Sequence, residues 1–248
     1  MCSLAESRRQ VLARVCLFAI ALVLPATAQG SDGGASLTPQ QVLDQLQAGN
    51  ARYVEGKSLH PNLDSARRDA TVKGGQHPVA TILSCSDSRV PVELVLDQGI
   101  GDVFVVRVAG NVCNADEAAS IEYGVDHVGT PLVIVLGHTS CGAVTAAATH
   151  AELHGAIVLL VAGIQPAVVR AQQEHPGLHG KDLVPAAIEA NVWLSIDNLF
   201  KTSSVVRQRV RDGKLKVVGA LYDVQSGKIQ WLGERLQKQG TDSGRSSP

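Results

Sequence analysis

Large ring side chains are nearly absent from this sequence. Phe, Tyr and Trp make up 3% of its 248 residues, so Val, Leu, Ile and Ala must fill whatever core it forms. A surface that stacks nucleobases has almost nothing to be built from. An excess of either charge is missing as well: 22 Lys and Arg face 23 Asp and Glu, a formal net charge of −1. With no basic stripe beside an aromatic platform, the composition excludes a nucleic-acid-binding protein. Long uncharged apolar runs are also lacking. The one near the N-terminus, Val15 to Leu24, is ten residues and too short to span a hydrocarbon layer of about 30 Å.

That run reads as part of an export signal. Arg8 and Arg9 form a positive n-region, "VLARVCLFAIALVLP" an apolar h-region interrupted by Arg14, and "ATA" at 26–28 a small-residue cleavage site. "SRRQVL" at 7–12 resembles the twin-arginine signal, which exports folded proteins. Residues 1–28 are therefore expected to be removed, with no stable membrane insertion afterwards, and the mature chain to be periplasmic in a bacterium or secreted. Cleavage takes Cys2 and Cys16 with it and leaves Cys85, Cys113 and Cys141. Three cysteines pair badly as disulfides. Metal ligation by two of them, with Cys113 a buried thiol, resolves the oddity; a Cys85–Cys141 disulfide is the competing reading.

Residues 29–37 are Gly/Ser-rich and read as a flexible leader, 38–240 as one domain, and 241–248 as a disordered tail. Thr38 is placed to cap an amphipathic helix over 39–56. Its apolar face is thin and interrupted by Gly49 and Asn50, so this arm is expected to need another surface. Three aliphatic runs follow, "VATIL" (79–83), "VFVVRVA" (103–109) and "PLVIVLGH" (131–138), separated by helical patterns such as 92–99 and 115–129. A fourth run, 214–224, is followed through "QSGK" by a hairpin partner at 227–233. The alternation predicts an α/β fold: a central, mostly parallel sheet of about four parallel strands plus an antiparallel edge strand, flanked by helices, with an N-terminal helical arm.

Chemistry-bearing residues gather where two of these strands end. In "SCSDSR" (84–89), Cys85, Asp87 and Arg89 alternate and would share one side of an extended chain. In "GHTSCGAV" (137–144), His138 and Cys141 stand where a strand passes into a helix. Neither motif is specific alone. In a parallel sheet, however, the C-terminal strand ends share one edge, so two thiolates, an imidazole and a carboxylate would converge. Soft sulfur with imidazole favours zinc, and three protein ligands leave a fourth position for water, as in a catalytic site.

The blocks "CSDSRVP", "GDVFVVRVAGN", "SIEYGV" and "VLGHTSCGAV", in this order and spacing, resemble the β-class carbonic anhydrases, and the similarity runs from about Thr38 to Gly233. The resemblance implies reversible hydration of CO2 to bicarbonate and a proton by zinc-bound hydroxide, with one Zn2+ per chain. It implies Cys85, His138 and Cys141 as metal ligands. Asp87 and Arg89 match the family's carboxylate–guanidinium dyad, which orients the hydroxide; released from Arg89, Asp87 can become a fourth ligand and shut catalysis off. Gln76, Phe104 and Tyr123 match residues lining the substrate pocket, partly supplied by a neighbouring subunit, with Val90 as a further apolar wall. The Gly142 N–H matches a contact to bicarbonate. A homodimer or dimer of dimers is implied, with the N-terminal arm embracing the partner. Members prone to shut-off carry a Trp three residues before the first Cys, with Arg and Tyr partners matched by Arg107 and Tyr222; here that position is Ile82, which implies an open site. Hydrolysis of CS2 or carbonyl sulfide on the same ligands is the enzymatic alternative, and a noncatalytic zinc-binding protein the other. "GIGDV" lacks the third glycine of a dinucleotide site.

Overall fold

Four of the aliphatic runs become neighbouring parallel strands, and the fifth turns back along the edge. The computed structural model describes residues 37–234; the export segment, most of the leader and the tail at 241–248 lie outside the described residues. β1 (Ala80–Ser84), β2 (Val103–Arg107), β3 (Leu132–His138), β4 (Lys216–Tyr222) and β5 (Ile229–Glu234) form a sheet in the order β2-β1-β3-β4-β5. The pairs β1–β2, β1–β3 and β3–β4 are parallel and β4–β5 is antiparallel, as the pattern predicts. Every residue of β1 and β3 is buried. Buried on both faces, such strands read as continuous aliphatic runs rather than alternating ones.

The faces are covered differently. Ile82, Ile134, Leu136 and Val218 pack against α1 (Pro39–Val54) and α3 (Val92–Val95). Leu83, Val133, Val135 and Val217 pack against α4 (Ala115–Asp126), α8 (Val184–Thr202) and α9 (Ser204–Arg211). A third cluster joins α8 to α5 (Gly142–Ala148), α6 (Ile157–Ala162) and α7 (Gln165–Glu174), beside the strand ends. α6 and α7 are parted at Gly163 and Ile164, and Pro166 falls in the first turn of α7, where its missing N–H costs nothing. Among the described residues no helix is long and apolar enough to cross a membrane.

The N-terminal arm departs from expectation. Thr38 caps α1 as predicted, in a reciprocal box with Gln41. Part of its face packs within the chain itself: Val42 and Leu46 are fully buried in the core. Gly49 and Asn50, which seemed to interrupt the stripe, make the closest approach. A Cβ on Gly49 would stand 2.0 Å from the Leu96 carbonyl oxygen, so only glycine lets the helix come so near. The Asn50 amide donates to the carbonyls of Val95 and Gly227 and accepts from the Ile229 N–H. α2 (Ser65–Gly74), which the apolar pattern does not announce, buries none of its residues; Arg67 anchors it through the Ile100 carbonyl and Asp102.

The helix expected over 92–99 stops at Val95, because Asp97 takes a left-handed φ of 51°. Its buried carboxylate accepts from the Leu59 and His60 N–H groups and, at 2.6 Å, from Arg52. Burial works to raise the pKa of Asp97, and these donors outweigh it, so the group sits below its ordinary value. A depressed carboxylate supports the fold above about pH 4 and loses that support as pH falls through its native pKa. Asp97→Asn is expected to cost about 1.5–3 kcal/mol at pH 7, with the gap to wild type narrowing in acid. Urea unfolding at a series of pH values measures this.

Candidate metal centre

β1 and β3 lie side by side in parallel, so their C-terminal ends open at the same edge. Cys85 is the first residue after β1, His138 the last of β3, and Cys141 the N-cap of α5. One ligand atom from each lies within 4.8 Å of the others, and all three residues are buried. The His138 ring is aimed from behind: Nδ1 donates to the Thr139 carbonyl oxygen at 2.9 Å, which turns Nε2 towards the two sulfurs. Thr139 is itself fixed, its N–H donating to the Tyr222 carbonyl and its hydroxyl accepting from the Val224 N–H.

The donor set fits zinc. His138 Nε2 is fully enclosed and has no hydrogen-bond partner, an arrangement that buried polar atoms avoid unless something else satisfies them. The two thiols also cannot both ionise unaided. The hydrogen bond between them draws Cys85 down and pushes Cys141 up; burial raises both, and the His138 contact and the N–H groups of Asp87 and Gly110 lower Cys85 further. The protein alone thus stabilises one negative charge across the pair, and a divalent cation supplies what the second thiolate needs. Cys85, His138 and Cys141 form a site for one zinc ion. Among the described residues Cys85, Cys113 and Cys141 are free thiols, and burial, with the charge of Glu117, pushes Cys113 up to about 12, which keeps it a thiol.

Asp87 and Arg89 meet, but by a different route from an extended strand. The chain leaves β1 at Ser84 and bends: the Val90 N–H donates to the Asp87 carbonyl, closing a tight turn. Within it Arg89 donates to Asp87 from its backbone N–H (2.9 Å), from Nε (2.9 Å) and from a terminal nitrogen (2.7 Å). This grip, with His138 and the Arg89 charge helping against partial burial, holds the Asp87 carboxyl well below the usual carboxylate range. The Asp87 carboxylate stands 3.9 Å from His138 Nε2, facing the ligands. Arg107, at the end of β2, donates to the backbone carbonyls of Cys85 (3.0 Å) and Asp87 (2.7 Å), so the bend is clamped from the neighbouring strand.

The expected pocket residues are not gathered at this point by one chain. Phe104 pairs in register with Thr81, four residues before Cys85 and so roughly 13 Å back along the strands. Its ring lies 6.1 Å from that of Tyr123, which is half exposed. Gln76 is exposed in the loop after α2. Val90, expected as a pocket wall, is fully buried in the α1–α3 core, as is Ile82. Gly142 opens α5 and is exposed, with nothing near the position of a Cβ. Motif reading overlooks Gly110, whose N–H reaches the Cys85 sulfur at 3.2 Å.

Three comparisons with known proteins converge. The family model described as carbonic anhydrase matches residues 80–229. Carbonic anhydrase 2 of Mycobacterium tuberculosis is 37% identical over 187 residues, which span 74% of this chain and 87% of that protein. The β-carbonic anhydrase CafA of the fungal pathogen Aspergillus fumigatus superposes with a TM-score of 0.62 at 30% identity, over 77% of this chain and 90% of that one. A chain from one of two tetrameric β-carbonic anhydrases of Sordaria macrospora shares the fold, with a TM-score of 0.63 at 23% identity over 78% of this chain and 98% of that one.

Proposed function

The chain belongs to the β-class carbonic anhydrase family and is a carbonic anhydrase; from that premise we propose that Asp87 and Arg89 run the reaction beside the Cys85–His138–Cys141 centre, converting CO2 and water to bicarbonate and a proton. The observation that carries the reading is the Asp87 carboxylate, gripped by Arg89 yet facing the unpartnered His138 Nε2 at 3.9 Å. Zinc, when bound, supplies the Lewis acidity that lets a water ionise near pH 7 instead of near about 15.7.

Kept ionised, Asp87 can only accept a hydrogen bond. It would accept a hydrogen bond from the O–H of the attacking oxygen, without taking the proton, and so turn a lone pair towards the carbon of CO2. Arg89 holds that carboxylate in place through charge-assisted bonds and keeps it away from the fourth ligand position. The exposed Gly142 N–H, and Gln76, donate to the oxygens on which charge develops. Phe104 lies too far back along β2 to line its own chain's centre, and the Tyr123 ring on α4 stands beside it, which supports a homodimer, alone or doubled, in which a second copy supplies the apolar wall for an uncharged substrate. Ile82, in place of a Trp, supports an open site. The twin-arginine-like "SRRQVL", the apolar run and "ATA" support export to the periplasm or beyond.

Stopped-flow CO2 hydration with zinc quantified on the same sample tests the reading. Zinc near one per chain with hydration at pH 8.5 is expected; zinc without hydration would overturn it.

A further inference from the structure

α8 buries a polar pair that its packing role does not explain. Asn191 and Ser195, one turn apart, are each 1% exposed on a face otherwise made of Ala187, Ile188, Val192, Ile196 and Leu199. A buried amide or hydroxyl costs free energy unless it is bonded. Their donors go to a single place: Asn191 Nδ2 donates to the Gly110 carbonyl at 2.7 Å and Ser195 Oγ to the Asn111 carbonyl at 2.9 Å, while Asn191 Oδ1 stays buried without a partner.

That place is a strained turn with one outward-facing task. Gly110 and Asn111 both take left-handed backbones, φ 69° and 44°. A Cβ on Gly110 would lie 2.8 Å from Ile164 Cδ1 and 3.2 Å from Ala143 Cβ, so glycine is required on both counts. Two consecutive left-handed residues persist only where their surroundings hold them. The turn directs the Gly110 N–H at the Cys85 sulfur, 3.2 Å away.

We propose that Asn191 and Ser195 are positioning residues for the metal centre: by holding the Gly110–Asn111 carbonyls they aim the Gly110 N–H at Cys85 and so set how strongly that thiolate donates to the metal. The inference rests on the zinc-ligation reading. A thiolate with an N–H donor gives up less charge to its metal, leaving the metal the stronger Lewis acid; partners of metal ligands in general orient the ligand and tune its basicity.

The test uses full-length Asn191→Leu, which keeps the branched shape while removing the amide, and Ser195→Ala, with Leu199→Ala as a control that loosens α8 away from the turn. Each is loaded with zinc and, separately, with Co(II). In the first two the Cys85 sulfur is held less firmly in place, and although it donates more charge, chelator competition is expected to show zinc affinity lowered about 10- to 100-fold by the lost positioning. The sulfur-to-Co(II) charge-transfer band is expected at longer wavelength, with the Leu199→Ala band unmoved. If Asn191→Leu does not fold, Ser195→Ala decides alone. Folded variants with wild-type affinity and spectrum would overturn the proposal, and so would a Leu199→Ala band that moves equally. Failure of the wild-type chain to bind zinc or Co(II) would instead overturn the ligation reading beneath it.

Discussion

Cys85→Ala is expected to empty the metal centre and bring CO2 hydration down to the uncatalysed rate. The substitution removes one of the three convergent donors and leaves the N–H groups of Asp87 and Gly110 without the sulfur they approach at 3.4 and 3.2 Å. Since disturbing a partner of a metal ligand already costs about 10- to 100-fold in affinity, deleting a ligand is expected to exceed that range. After dialysis against a mild chelator the variant retains almost no zinc, while wild type keeps about one per chain. The fold should survive: Cys85 lies in the cluster beside the strand ends, and the sheet is sandwiched by two others. Its thermal midpoint falls by what bound metal contributes to wild type, so far-ultraviolet circular dichroism and a melt accompany the metal assay. Full zinc occupancy in the variant would remove Cys85 from the ligand set.

Asp87→Asn is expected to separate metal binding from catalysis. An amide is nearly the same size, so the turn can persist and zinc stays bound. But the amide's nitrogen donates where the carboxylate only accepted, and the ion pair with Arg89 is gone. The attacking oxygen loses the group that orients its proton, and kcat is expected to fall about 10²- to 10³-fold, the range for removing one preorganised polar contact to a reacting centre. Zinc content within error of wild type, together with that loss, supports the dyad. Activity within threefold of wild type would mean that Asp87 only shapes the turn.

How legible all this was in the sequence depended on which force governs each segment. β1 and β3 stand out as aliphatic runs because both faces of the sheet are covered, and the turn residues "QSGK" announce the β4–β5 hairpin. The metal ligands were legible because parallel strand ends share an edge, whatever the details of packing. Three features escaped for physical reasons. Gly49 and Asn50 looked like defects in an amphipathic stripe, although close backbone approach and carbonyl capping are contacts that hydrophobicity does not register. Asp87 and Arg89 were aligned by strand alternation, whereas a turn brings them together. α2 has no buried side to print a period in the sequence. Asn191 and Ser195 left a faint signal: two polar residues one turn apart within the apolar stripe of α8.

The hydrogen bonds of Asn50 carry a consequence for the order in which the molecule is completed. α1 is the first described helix to leave the ribosome, yet its amide is satisfied by Val95, Gly227 and Ile229, two of which lie near the far end of the chain. His138 is under a similar constraint, since Thr139, which aims its ring, is pinned by Tyr222 and Val224. Contacts between such distant parts of a chain form late and slowly. All three metal ligands are therefore synthesised well before the structure that orients them exists. A nascent chain halted after Cys141 would carry the donors without their geometry, and tight zinc capture would have to await the closing hairpin.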